Sequence, residues 1–467
     1  MSRTPHAHQA RHRAVVIGAS MAGLSATAVL ASRFDTVVVV ERDAMAGHPA
    51  DRKGVPQGRH AHGLLPSGLA RLEGWFPGLT AEMVAAGAHL VDIGEAVWHQ
   101  GGYRRRFPTG IRAPLASRAL LEHQVRRRAL ALPNVTLRAA GVTGLTTSTD
   151  GVTVTGVTLD DGSTLAADLV VDTSGRQGRS LLWLAELGYE APPVSEVRID
   201  VAYASRVYHR DPAQVTEWEF ALVLAGPPTG RQGVAFPLEG DRWMVTLAGM
   251  HGERPPTDEA GFLAFARALP STEIADVIES ARPAGPIVTH RLPSNQRRHV
   301  ERLRRVPGGL VMLGDAVCSF NPTYGQGMTT AALQAEALGR ALDTVGTLDS
   351  RLVKAAYRRL ARAVSPAWQM TTGADFSLPA THGPKAPGTD LLNRYMPHVF
   401  RAAQMSDKVS LRVVEVTTLL RPAPTLLTPA MMVAVFRGSR QVRRQAAAPV
   451  TAEAAVGAAP VHVGDIH

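Results

Sequence analysis

The sequence predicts an α/β protein: a parallel-sheet domain at the start, an antiparallel sheet inserted into it, and a C-terminal helical extension. Three observations carry this. A β-branched run, a glycine turn, an apolar helix and a second β-branched run follow one another between Ala14 and Glu41. From Val197 to Gly249 apolar and polar residues alternate, and from Leu352 the pattern turns mainly helical. At 467 residues, 45% hydrophobic and 19% charged, the chain is long enough for two or three domains with large cores. Mean hydropathy near zero without charge blocks excludes a disordered or fibrous chain.

In chain order, Ala14–Ile17 reads as a short buried strand, Met21–Ala31 as a helix and Thr36–Val40 as a second strand, ending at Glu41. Such a strand–helix–strand unit implies a parallel sheet. Residues 48–66 are rich in Gly, Pro, Arg and His and have no period, so they form a long loop, a feature often tied to function. Ala116–Ala131 reads as a helix, with strands at Val152–Leu159 and Thr164–Val171 about the Asp160–Gly162 turn. The segments VRIDVAYASRVYH, EWEFALVLAG, QGVAFPL and RWMVTLAGM are antiparallel strands fit to wall a ligand pocket. Gly309–Leu313 is a further buried strand and Met328–Leu342 a strong helix.

One cysteine, Cys318, excludes a disulfide framework and a Cys-based metal cluster; its apolar setting marks a buried structural thiol. The 17 histidines show no HExxH or comparable set, so no metal is expected. No apolar run approaches the roughly 20 residues that span a bilayer. The polar, basic N-terminal residues run into a strand rather than an apolar signal segment. These features predict a cytoplasmic protein without a transmembrane segment. The net charge of +10 is nearly all arginine, with lysine only at Lys53, Lys354, Lys385 and Lys408. The runs Arg104–Arg106, Arg126–Arg128 and Arg302–Arg305 are scattered without a nucleic-acid module, predicting a solvated basic surface and no nucleic-acid partner.

Two motifs carry chemistry. The first is Gly18-Ala19-Ser20-Met21-Ala22-Gly23, between strand and helix. Gly18 permits the tight turn, Gly23 lets helix and strand pack closely, and the helix N-terminus presents N–H groups to a pyrophosphate, as in a Rossmann-type domain. Ser20 replaces the second glycine. Glu41, 23 residues after Gly18, is placed to accept hydrogen bonds from a ribose diol, with Arg42 beside it. The second is Leu313-Gly314-Asp315-Ala316 followed by Asn321-Pro322-Thr323-Tyr324-Gly325-Gln326-Gly327-Met328. Asp315 ends a strand where it could bond a ribityl or ribose hydroxyl. The Pro322–Met328 loop offers N–H groups and a helix dipole to the electron-rich edge of a reduced isoalloxazine.

Together the motifs resemble the class A-like FAD-dependent monooxygenases, the para-hydroxybenzoate hydroxylase fold, over about residues 13–345. Within that group, Asp51-Arg52-Lys53-Gly54-Val55-Pro56-Gln57-Gly58-Arg59-His60-Ala61-His62 resembles the RKGVPQxRHAH stretch of bacterial epoxidases acting on olefins of polyketide polyether precursors. The resemblance implies that Arg118, in Ser117-Arg118-Ala119-Leu120-Leu121, reaches the FAD. Arg52 is a plausible phosphate or ribityl partner by its fixed fork of donors, and Gly54 and Pro56 would shape the loop beside the flavin. His60 and His62 read as satisfied loop histidines rather than catalysts.

The implied organisation is an FAD-binding domain of residues 13–185 and 290–345 and a substrate domain of 186–289 with parts of 60–110. A helical extension covers 346–444, and 445–467 form a disordered tail. The implied chemistry is reduction of FAD, capture of O2 as a flavin C4a-hydroperoxide and oxygen transfer to an olefin, with no catalytic side chain. The expected substrate is an apolar small molecule, with Phe220 and Trp243 as candidate pocket residues; Trp98 and Trp218 could line the pocket or the core. In place of the Asp-Gly pair of aromatic hydroxylases the chain reads Asp172-Thr173-Ser174-Gly175-Arg176. Electrons therefore come from transiently bound NAD(P)H or a partner flavin reductase. Aromatic or phenolic hydroxylation, flavin-dependent reduction or dehydrogenation of an isoprenoid, and a non-catalytic flavin scaffold stay open. The Trp-x-Trp-x-Ile-Pro signature of flavin halogenases is absent.

Overall fold

Four successive valines make Thr36–Glu41 a strand buried along its length, as a central parallel strand must be. In the computed structural model of the chain, which describes residues 12–213 and 217–447, it pairs in parallel with Arg13–Ile17 and Val135–Ala139. Arg13–Ile17 pairs on its other edge with Leu169–Asp172, which pairs with Leu310–Met312, completing a five-stranded parallel sheet. Ala26, Val29 and Leu30 of the Met21–Ala31 helix share a core with these strands, as do Leu338 of the Gly327–Thr344 helix and Leu360 of the Ser350–Asp375 helix.

Thr164–Val171, expected as one strand, is two. Thr164–Ala166 joins Val142–Thr147 and Val154–Leu159 in a small antiparallel sheet, and Leu169–Asp172 enters the parallel one. The break falls at Asp168, whose carboxylate accepts the Arg13 N–H at 2.8 Å and so ties the crossing to the start of the first strand.

The second sheet has seven strands. Its neighbours run Cys318–Ser319, Val288–Arg298, Val194–His209, Arg242–Gly249, Gln232–Leu238, Ala221–Val223 and Val97–His99. Residues 290–298, grouped by sequence with the first domain, thus hydrogen-bond into the second sheet, while 97–99 cross to its far edge. The helices Glu259–Arg267 and Glu273–Ser280, not foreseen, cover one face: Phe262, Phe265 and Ile274 pack on Ala204, Tyr208, Trp243 and Val245. The other, inner face carries Phe220, Phe236, Leu238 and Met244 against Val91 and Leu115.

The helices Thr389–Ala403, Asp407–Thr417 and Pro429–Ala447 enclose a separate core around Val399, Val413 and Val435. The last helix runs to Ala447, past the expected start of the tail; residues 448–467 lie outside the described residues. The basic runs are not simply solvated. Buried Arg104 donates to the Ile93 and Gly94 carbonyls and to Ser410, tying the helical extension to the body, and Arg127 and Arg128 pair with Glu82. No helix among the described residues is long and apolar enough to cross a membrane.

Candidate functional site

At the carboxyl ends of the parallel strands, Gly18 adopts φ +96°, and its N–H bonds the Val40 carbonyl at 2.8 Å. A Cβ on Gly23 would stand 1.9 Å from the Gly18 oxygen, so nothing larger than glycine fits there. Ser20 sits at the cap of the following helix but does not cap it with its side chain. Its hydroxyl donates to Glu122 at 3.2 Å and accepts from Arg118 Nη2 at 2.9 Å.

Glu41 accepts the Ala19 and Asp43 N–H groups at 2.8 and 3.0 Å, and Arg52 Nη1 lies 3.1 Å from it. Arg52 also donates through Nε to Glu122 at 2.7 Å, bridging two buried carboxylates. Glu122 holds Arg118 at 2.7 Å and Arg126 at 3.5 Å as well, so one buried acid gathers three guanidinium groups. Glu122 was missed from sequence, although its spacing of four to both Arg118 and Arg126 on one helix was the available signal. The Gly54 N–H donates to Asp43 at 2.7 Å, near the Glu41 end of the network. Arg42 is exposed.

These residues fit FAD. Arg118 Nη1 is buried without a hydrogen-bond partner, a costly state that an anionic oxygen would relieve. It lies in the network at a helix N-terminus lacking a side-chain cap, where N–H groups and the dipole favour a phosphate.

The second motif lies across the sheet from the first. A Cβ on Gly314 would come 2.7 Å from Ala22 Cβ, so the two motifs touch. Asp315 is exposed at this end of the sheet, and desolvation by the surrounding chain raises its carboxyl, against the lowering pull of Arg176 and Arg118. Pro322–Tyr324 forms a single turn that ends at Gly325 with φ +65°. Gly325 lies against Gly63, bringing the 48–66 loop to this point. Gln326 is buried and accepts the Thr371 hydroxyl at 2.9 Å, and Gly327 is exposed at the start of the next helix. The side chains of Met21 and Met328 belong to a core with Leu24, Leu64 and Leu72, leaving only their backbones to face a cofactor.

Sequence reading also missed Asp375, at the end of the long Ser350–Asp375 helix. Its buried carboxylate accepts from Asn295 Nδ2 at 2.6 Å, Asn321 Nδ2 at 2.9 Å and the Tyr324 hydroxyl at 3.0 Å. Burial raises the Asp375 carboxyl to about 6 despite those donors, and burial beside Asp375 pushes the Tyr324 hydroxyl well up. The helical extension thus fixes the glycine loop from behind.

On the inner face of the large sheet, His60 Nδ1 meets the Ser205 hydroxyl at 2.8 Å, and Ser205 meets the Thr246 hydroxyl at 2.6 Å. Burial, with help from His290, His62 and Arg59, lowers His60 to about 3. Burial and Arg118 bring His62 to about 4; its Nδ1 bonds the His60 carbonyl. Phe220 belongs to this face. Trp243 does not: it packs on the outer face under the two covering helices, with Trp218 at 5.5 Å, and so leaves the candidate pocket. Trp98, under the Arg104 guanidinium, lines a small crevice with Phe400 and Val413 of the helical extension. Cys318 is buried, and desolvation pushes its thiol up. Asp172 accepts the Ser174 N–H at 2.8 Å.

A glycine cradle, a buried guanidinium with one nitrogen left unpaired and a second glycine loop on one parallel sheet define a flavoprotein of the class A monooxygenase architecture. The family described as FAD binding domain matches residues 11–372, and the chain belongs to it. It is 35% identical over 386 residues to Protein Rv3254 of Mycobacterium tuberculosis, covering 79% of this chain and 81% of that one. Among solved structures, the flavin-dependent brominase Bmp2 superposes with a TM-score of 0.64 at 14% identity, over 92% of this chain and 99% of that one. The p-nitrophenol 4-monooxygenase PnpA from Pseudomonas putida DLL-E4 does so at 0.61 and 19% identity, over 88% and 99%. These two likenesses speak to the fold.

Proposed function

We propose that the chain is an FAD-dependent monooxygenase that epoxidises a carbon–carbon double bond of a largely apolar natural-product precursor. When bound and reduced, FAD supplies the activation of O2 from which one oxygen atom is delivered. Gly18, Ser20, Ala22 and Gly23, with the backbone of Met21, hold the pyrophosphate, joined by Arg118; Glu41 and Arg52 serve the adenosine half, with Gly54 shaping that loop and Arg42 at its edge. Asp315 bonds the ribityl chain. Pro322, Gly325, Gln326, Gly327 and the Met328 backbone face the flavin ring. NAD(P)H or a partner flavin reductase supplies the electrons, and the setting is cytoplasmic.

The observation that carries the reading is the inner face of the large sheet. Phe220, Phe236, Leu238 and Met244 make it apolar, and the imidazole at its edge, His60, is only weakly basic. Such a wall excludes water and orients an alkene, whereas a phenol is best served by a base that takes its proton. Under 18O2 with a reducing system, an alkene should gain one labelled oxygen as an epoxide or its cyclised product. Label from water only, reduction of the alkene, or turnover confined to phenols would overturn the assignment.

A further inference from the structure

Three ring side chains meet where the 48–66 loop crosses the inner face of the large sheet. The His60 and Tyr203 rings lie edge to face at 4.5 Å, and His290 stands 5.9 Å from His60 and 5.4 Å from Tyr203. His60 is 3% exposed and Tyr203 5%. Only His60 Nδ1 is engaged: the Tyr203 hydroxyl, His60 Nε2 and both His290 nitrogens have no hydrogen-bond partner among the described residues. His290 is half-buried and none of these unengaged atoms is sealed from solvent, so a molecule reaching the cluster finds donors and acceptors free to bond it.

The polarity of the group follows from its wiring. The Thr246 hydroxyl oxygen accepts the Ala61 N–H at 3.1 Å, leaving its own proton for Ser205. Ser205 then donates to His60 Nδ1, which leaves the His60 proton on Nε2. In the opposite direction the Thr246 proton would have no acceptor. His60 therefore turns an N–H toward the cluster, beside a Tyr203 hydroxyl that both donates and accepts. Burial keeps both imidazoles in their uncharged form at neutral pH, so the group offers hydrogen bonds rather than a charge.

We propose that His60, Tyr203 and His290 form the polar end of the substrate site and select molecules with one uncharged oxygen, a hydroxyl or ketone, on an otherwise apolar unsaturated skeleton. The proposal rests on the reading that the inner face holds the substrate. Three ten-carbon probes test it: geraniol, with a hydroxyl; myrcene, a hydrocarbon; and geranic acid, with a carboxylate. Each is titrated into the FAD-loaded protein and followed by the flavin absorbance.

Geraniol should bind at least about tenfold more tightly than the other two, the difference one or two good hydrogen bonds make. Tyr203→Phe, which removes only the hydroxyl, and His290→Leu should each shrink that preference several-fold while the FAD-loaded proteins keep their melting temperature within a few degrees. Myrcene or geranic acid binding as tightly as geraniol, no probe perturbing the flavin, or a preference that survives both substitutions would overturn the proposal. Oxygen transfer is scored separately by 18O2 labelling. Selectivity without oxygenation would refute the epoxidase reading and support this site; oxygenation without selectivity would refute the site and support the reading.

Discussion

Replacing Asp375 by asparagine keeps its shape and removes its charge, and the effect on stability should depend on pH in a set direction. The folded carboxyl titrates near 6 rather than at its ordinary 3.8, because burial outweighs the donors from Asn295, Asn321 and Tyr324. A raised carboxyl favours the folded state fully below 3.8, and that contribution is lost as pH rises through 6. At 1.36 kcal/mol per pH unit the whole swing is about 3 kcal/mol, most of it between pH 4 and 7. The Asp375→Asn variant has no such titration. It carries instead a constant cost of about 1–3 kcal/mol, since its new amide would face the Asn295 amide now 2.6 Å from Asp375. The wild-type advantage should therefore be largest near pH 4 and shrink by about 2–3 kcal/mol toward pH 7. Urea unfolding of both FAD-loaded proteins at steps across this range measures it. A gap that stays constant or widens with rising pH would refute the raised titration of the Asp375 carboxyl buried behind the Pro322–Tyr324 turn.

Arg118→Met should weaken FAD retention by about 1.5–3 kcal/mol, read as flavin fluorescence released on dilution; unchanged retention would separate Arg118 from the cofactor. Gly325→Val forces a branched side chain into a left-handed conformation at a cost of about 1–2 kcal/mol. It should shift the flavin absorbance and lower Tm, whereas Gly327→Ala, whose Cβ meets nothing within 4 Å, should keep Tm. Trp243→Ala should destabilise by about 3–5 kcal/mol without changing the flavin spectrum, while Phe220→Ala should also raise peroxide release during turnover. Equal peroxide release in both variants would contradict their assignment to opposite faces.

Much of the fold, and the glycine turn proposed to cradle the cofactor, was legible in the sequence, because both depend on local sterics. A run of valines closed by a glycine turn has few alternatives to a buried strand feeding a helix; Gly23 stands where no side chain fits, and Gly18 and Gly325 hold left-handed conformations that favour glycine. The element bounds at Met21–Ala31 and the paired position of Glu41 follow from those patterns alone. What the tertiary structure decided lies in contacts between distant segments. Arg52 finds Glu122 70 positions away, and Asp375 reaches Asn321 across 54 and Asn295 across 80. No local window holds such a pair. Alternation with period two shows that residues of a strand divide between two faces but not which face meets the cofactor, because both faces of this sheet are packed. Helices that the alternating pattern did not announce covered one of them, and so Trp243 packs beneath those helices while Phe220 lies on the opposite face with Val91 and Leu115.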